Sequence, residues 1–190
     1  MKMSDRIIVF ALCLGLFVFI NQVTATEIEG VTFKDKIVAE NVEFQLNGVA
    51  LQRYMLFFRG YVGALYLPPL ITPDDAMNDV SRHLELQYFH DIKKEDFQES
   101  TIAVIKQNVS EASYLKIKDR VEKLNSFYQD VKSGERYSLT YIQGKGSTLS
   151  LNGKPLVTIP GHDFSFAVFS IWLGENPIGD GFRDVLLGKK

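Results

Sequence analysis

The chain has 190 residues, 46% hydrophobic and 12% aromatic, with 21 Lys+Arg against 23 Asp+Glu and a formal net charge of -2. With no basic tract of five or more residues, that balance excludes a nucleic-acid partner held by charge. One cysteine, Cys13, excludes an internal disulfide and a thiolate metal site.

The N-terminus reads as an export signal. Lys2 and Arg6 precede an apolar run from Ile7 to Ile20, and Val23-Thr24-Ala25 supplies the small residues a signal peptidase needs. The run is shorter than the ~20 residues that span a bilayer. Cys13 follows Leu12 where a lipoprotein site wants a small residue, so no lipid anchor is expected. Residues 1–25 are therefore read as a signal peptide and 26–190 as one domain. A chain left without cysteine after export suits a bacterial periplasm, with no stable membrane insertion after cleavage.

The mature elements follow in order. Thr26 to Phe33 alternates weakly and reads as a short strand, and Asp35-Lys36 marks a turn. Val42 to Leu51 reads as two strand pieces around Asn47-Gly48, a hairpin dipeptide. Leu51 to Leu67 reads as one long strand, apolar on both faces and stopped by Pro68-Pro69. Thr72-Pro73-Asp74-Asp75 starts a short helix ending near Val80. Arg82 to Phe89 is a strand with Leu84, Leu86 and Tyr88 on one face and His83, Glu85 and Gln87 on the other. A helix from Asp91 to Asn108 carries the inward stripe Phe97, Thr101, Val104, Ile105. A second, Tyr114 to Tyr128, carries Tyr114, Ile117, Val121, Leu124, Tyr128. Three strands follow, Glu135–Gln143, Ser147–Leu151 and Pro155–Ile159, with turns at Gly144-Lys145-Gly146 and Asn152-Gly153. Asp163 to Leu173 is a helix apolar almost all round, hence buried, and Phe182 to Leu187 adds a last turn or two. The order predicts an α+β fold, an antiparallel sheet with a helical layer on one face.

The histidines His83, His90 and His162 have no metal-ligand spacing, so neither a metal nor a cofactor is expected. His162-Asp163 near Ser165 lacks a nucleophile elbow and reads as a helix N-terminus. Arg53 and Arg59 on the long strand are the charges that need partners. Alternation puts Arg59 and Tyr61 on one face, roughly 7 Å apart, where they can grip one carboxylate. Arg53 would stand about 20 Å away along a straight strand. The competing reading pairs each arginine with solvent or a structural carboxylate.

The chain resembles the chalcone isomerase-like family, in its exported bacterial branch. The resemblance is carried by Glu29-Gly30-Val31-Thr32-Phe33, by LNGVALQRYMLFFRGYVGALYLPP from Leu46 to Pro69, by Phe89-His90-Asp91, and by IPGHDFSFAVFSIWLGENPI from Ile159 to Ile178. It implies an open-faced β-sandwich with a ligand cleft between sheet and helices. In plant chalcone isomerases the cleft holds an arginine and a threonine on the long strand, and a tyrosine, an asparagine and a serine or threonine from the helical layer. The resemblance places these on Arg53, near Tyr61, on Phe97, near Val104 and near Ser165. Fatty-acid-binding relatives keep the arginine and a tyrosine to hold a carboxylate, and other members assist partner proteins. Phe97 cannot donate a proton, which argues against flavonoid cyclisation.

The expectation is a periplasmic, non-catalytic protein that binds a fatty-acid-like or aromatic carboxylate in an apolar cleft. Its charged end would meet Arg53 and Tyr61, with Arg59 next. Its tail would lie among Phe97, Thr101, Val104, Phe166 and Phe169, with Ser165 nearby. An isomerase acting on a chalcone-like substrate and an accessory protein with an inert cleft are the alternatives.

Overall fold

The computed structural model describes residues 24–54 and 58–189. The proposed leader lies outside them except for Thr24 and Ala25. A small hairpin, β1 (Ala25–Ile28) and β2 (Val31–Lys34), precedes a seven-stranded antiparallel sheet. The sheet runs β3 (Lys36–Ala39), β4 (Val42–Tyr54), β5 (Phe58–Leu67), β6 (Arg82–Tyr88), β7 (Arg136–Ile142), β8 (Gly146–Leu151) and β9 (Lys154–Ile159), each strand beside its sequence neighbour. Helices α1 (Lys94–Asn108) and α2 (Glu111–Ser126) interrupt it after β6; α3 (His162–Leu173) and α4 (Asp180–Leu186) follow it. The fold is α+β, a seven-stranded antiparallel sheet with four helices among the described residues.

The sheet buries both faces. Tyr61 and Leu65 of β5, Leu84 and Leu86 of β6 and Leu139 of β7 pack under the helices with Ile117, Val121, Leu124 and Phe164. The opposite residues Val62, Ala64 and Tyr66 pack with Phe44 under Val31 and Phe33 of the small hairpin. This is why β5 is apolar on both sides. The α2 stripe is buried as its spacing predicts, and Ser110 caps that helix by accepting a hydrogen bond from the Ser113 N–H at 3.2 Å.

Several elements differ from the sequence expectation. Thr26–Phe33 is a hairpin, because Glu29 and Gly30 both take positive φ, 52° and 79°. Asn47-Gly48 is no hairpin turn but a bulge inside β4. Glycine is needed there for close approach: a Cβ on Gly48 would lie 2.5 Å from the Leu186 carbonyl oxygen of α4. Asn47 Nδ2 donates to that same oxygen at 2.6 Å. The long strand is two strands, with Tyr54 paired to Phe58. Asp74 and Asp75 lie in a single 3-10 turn, Pro73–Asp75, rather than a helix. Helix α1 starts at Lys94, not Asp91, and Asp91 instead accepts from Lys132 Nζ and the Ser133 N–H.

Arg82 clamps the 76–78 loop to α3. Its guanidinium is fully buried and donates to the carbonyls of Ala76 (2.6 Å) and Asn78 (2.8 Å) and to Ser165 Oγ (2.7 Å). The Phe169 and Tyr141 rings flank it at 4.6 and 5.1 Å. Burial lowers its pKa to about 10, so it stays charged at neutral pH. Arg82→Met strips these acceptors of their donor and is expected to cost about 3 kcal/mol or more. Urea unfolding reads this as a lower midpoint with unchanged slope; a loss under about 0.5 kcal/mol refutes the clamp.

Candidate functional site

Between sheet and helices lies an apolar cavity of about 130 Å³. Period-two alternation points Tyr61, Leu86, Tyr88 and Tyr137 from β5, β6 and β7 towards the helices. Phe97 and Thr101 of α1, Tyr128 after α2, and Ile171 and Trp172 of α3 close it from above. Phe97 sits among three tyrosines. Its ring stacks on Tyr128 at 5.4 Å and meets Tyr88 and Tyr137 edge-on, each at 5.3 Å. Phe182 of α4 braces Tyr61 edge-on at 5.2 Å.

Three of the hydroxyls on the wall are occupied. Tyr128 Oη pairs with Thr101 Oγ1 at 3.1 Å. Tyr137 Oη donates to the Gln129 carbonyl and accepts from its N–H, at 3.1 and 2.8 Å. The Tyr61 hydroxyl is buried with no hydrogen-bond partner. The Trp172 indole biases its proton affinity downward but lies outside hydrogen-bond geometry. Burial pushes Tyr61 and Tyr88 well above the ordinary phenol value and Tyr128 up to about 12. The wall is therefore a set of neutral phenols. Among the described residues, Asp96 at the rim is the one carboxylate that lines it, and no arginine or lysine does.

The two arginines face elsewhere. The ladder pairs Gln52 with Tyr61 and then Arg53 with Arg59, leaving Gly60 as a bulge. The bulge breaks the alternation, so Arg59 and Tyr61 lie on opposite faces. Gly60 is required there: a Cβ would lie 2.3 Å from the Tyr54 ring. Arg53 and Arg59, rather than standing 20 Å apart, lie side by side and share Glu29, each at 3.2 Å. Arg59 also stacks over Phe89 at 4.8 Å. A structural carboxylate is thus the partner of both.

Of the residues singled out in the sequence, Tyr61, Phe97 and Thr101 line the cavity. Val104 is buried in the adjoining core without lining it. Ser165 and Phe169 attend Arg82, and Phe166 is exposed. Tyr54, Tyr88, Tyr128, Tyr137 and Trp172 were not singled out. Inward strand parity at Tyr88 and the α2 stripe at Tyr128 were the available signals. Among the described residues no three His, Cys, Asp or Glu side chains converge on a metal site. No described helix is long and apolar enough to cross a membrane.

A family model described as chalcone isomerase-like matches residues 25–188. The chain belongs to the chalcone isomerase-like family. Among solved structures, this family member is similar to a fatty-acid binding protein of Arabidopsis thaliana. The TM-score is 0.68 at 16% identity, covering 86% of this chain and 96% of that one. At that identity the likeness concerns the fold. No curated protein sequence matches the chain. In this chalcone isomerase-like protein the position that the resemblance assigns to the cleft arginine, Arg53, lies on the sheet face away from the helices.

Two outcomes are expected of the tyrosine wall. Tyr61→Phe removes an unpartnered buried hydroxyl and should raise stability by roughly 1 kcal/mol in urea unfolding; a loss instead would reveal a bond to Trp172. The fold favours the protonated phenols. Their contribution is whole below pH 10, the ordinary value, and is lost as pH rises beyond it through the raised values, about 12 for Tyr128. Circular dichroism with phenolate absorbance should therefore show unfolding and ionisation together above pH 10. Tyrosines that all ionise near 10 with the fold intact would contradict the burial.

Proposed function

We propose that this protein is a non-catalytic binding protein for a hydrophobic small molecule with one polar end, a fatty-acid-like or aromatic acid. The observation that carries this reading is the apolar cavity whose lining includes the Tyr61 hydroxyl, fully buried and without a hydrogen-bond partner. A convergent polar group in an apolar pocket is the common form of a small-molecule site. The printed name of the similar Arabidopsis protein, fatty-acid binding, supports the same ligand class.

The size and charge of the cavity refine the ligand. A cavity of about 150 Å³ holds a benzene, so 130 Å³ fits one ring or a short acyl segment. A longer chain enters as Phe97 or Trp172 turns aside. No cation balances a carboxylate on the wall, and Asp96 would oppose one. The acid is therefore held in its protonated form, with the Tyr61 phenol at its head. The wall also offers no cation for a developing oxyanion, which favours holding a ligand over converting it. The leader-like residues 1–25 support an exported, periplasmic protein.

Trp172 is the chain's one tryptophan and lies on the cavity wall, so its fluorescence reports occupancy. Titration with decanoic acid or 3-phenylpropionic acid should give a saturable change. Apparent affinity should fall about tenfold for each pH unit above the ligand's own pKa, while decanol shows no such dependence. Tyr61→Phe should weaken acid binding by several-fold to tenfold. An unresponsive Trp172 between pH 5 and 7 would remove the proposal. Affinity that rises with pH would instead indicate a carboxylate held by a cation.

A further inference from the structure

The sheet face turned away from the helices is apolar only in part. The small hairpin covers the part where Val62, Ala64 and Tyr66 meet Phe33 and Phe44. Beside it, β6, β7 and β8 present polar side chains in register. His83 pairs with Thr140 and Glu85 with Ser138 across β6–β7; Thr140 pairs with Thr148 and Ser138 with Ser150 across β7–β8. Alternation puts all of them on one face. The rings of Phe44 and Tyr66, 6.1 and 5.6 Å from that of His83, identify it as the face opposite the apolar cavity. These residues floor an open groove of about 540 Å³. β3 and Glu40 make one wall, and Gly153 and Pro155 the other. Glu40 Oε1 accepts from Thr148 Oγ1 at 3.0 Å and ties the first wall to the floor.

The floor is held in place by its own bonds. Arg136 donates to Glu85 Oε2 at 2.6 Å and to Gln87 Oε1 at 2.7 Å, and its guanidinium lies 4.5 Å from the Phe33 ring centre. Glu85 Oε1 lies 3.2 Å from His83 Nε2, and Thr140 Oγ1 lies 2.7 Å from His83 Nδ1. Burial opposes the Glu85 charge, but His83 and Arg136 outweigh it and lower its pKa. An ionised carboxylate only accepts, so a neutral His83 carries its proton on Nε2 and accepts from Thr140 at Nδ1. Both rows of that network are engaged. Among the described residues no group bonds the hydroxyl of Ser138 or Ser150, although Ser150 is only 7% exposed and both serines line the groove. Each hydroxyl keeps a donor and an acceptor for an outside partner. The lining carries Lys34 and Lys36 against Glu40 and Glu85, so with His83 neutral its formal charge is zero. A floor that is neutral, rich in hydroxyls and furnished with both donors and acceptors matches a ligand whose own groups each donate and accept.

We propose that this groove is a second small-molecule site, for a neutral polyol of monosaccharide size. The ligand hydroxyls bond Ser138, Ser150 and the free lone pairs of Glu85, with Lys34 and Lys36 bordering them. The groove volume lies within the roughly 300–1,000 Å³ of small-molecule pockets. The site is on the opposite side of the sheet from the acid-binding cavity proposed above and does not depend on it.

Proton–nitrogen NMR of the imidazoles tests this directly. His83 is in the groove floor, while His90 and His162 lie outside it and serve as references. Titration with glucose, galactose and myo-inositol should shift His83 saturably for at least one of the three, with His90 and His162 unmoved. Ser138→Ala and Ser150→Ala each remove a hydroxyl that has no protein partner. Each should weaken that binding about fivefold, the loss of one hydrogen bond, without lowering the thermal midpoint. Ser150→Ala should leave the Trp172 titration with decanoic acid unchanged, so the groove and the cavity stand or fall separately. The absence of a saturable His83 shift with all three probes overturns the proposal. So does a saturable shift that both serine variants retain in full. Glucuronate or citrate that binds where the three neutral probes do not overturns the polyol and assigns the groove to an anion held by Lys34 and Lys36.

Discussion

Between the Gln52–Tyr61 pair and the Arg53–Arg59 pair, the sheet ladder skips Gly60. Everything on the far side of that bulge changes face. Tyr61 and Leu65 turn towards the helices and form the cavity floor, while Arg59 turns away and meets Glu29 beside Arg53. The Tyr54 ring occupies the space a side chain at position 60 would need. One aromatic ring lying on one glycine thus separates the charged face of this strand pair from its apolar one.

The cavity that results is apolar, with hydroxyls on its wall and no arginine or lysine among its described lining residues. Among its hydroxyls are the buried phenols of Tyr61 and Tyr88, whose ionisation is suppressed by desolvation. A guanidinium brought into that space would carry a desolvation cost unless a carboxylate came with it. The fold instead keeps one fully buried cation, Arg82, away from the cavity and surrounds it with carbonyls, a serine and two rings. Ser165, assigned to the cleft by family resemblance, is one of the groups holding that cation.

Local pattern was enough for much of the fold. Alternation placed Leu84, Leu86 and Tyr88 against His83, Glu85 and Gln87 on opposite faces of β6, and helical spacing found the buried face of α2. Asn152-Gly153 forms its hairpin with φ of 51° and 77°. The failures had long-range causes. Asn47-Gly48 has hairpin chemistry, but its partner is the end of α4, far along the chain. Residues 55–57, between β4 and β5, include no glycine, proline, asparagine or aspartate, so nothing local announces that the strand divides there. The Gly60 bulge depends on a ring six positions earlier that folds back across it. These same two features misplaced the arginines, and with them half of the candidate site. Tyr61, Phe97 and Thr101 needed only parity and helical spacing, and they are the residues that reached the cavity wall.

The contact between Asn47 and Leu186 spans 139 positions. It seats α4 on the β4 bulge and sets Phe182 against Tyr61. The floor of the cavity is therefore finished by residues made after every strand of the sheet. An emerging chain can pair β4 with β5 early, but it has no completed pocket until Phe182–Leu186 arrive and loop closure over that distance is achieved. A ligand that needs the finished pocket distinguishes chains with α4 in place from those without it, and its binding adds stability only after α4 has docked.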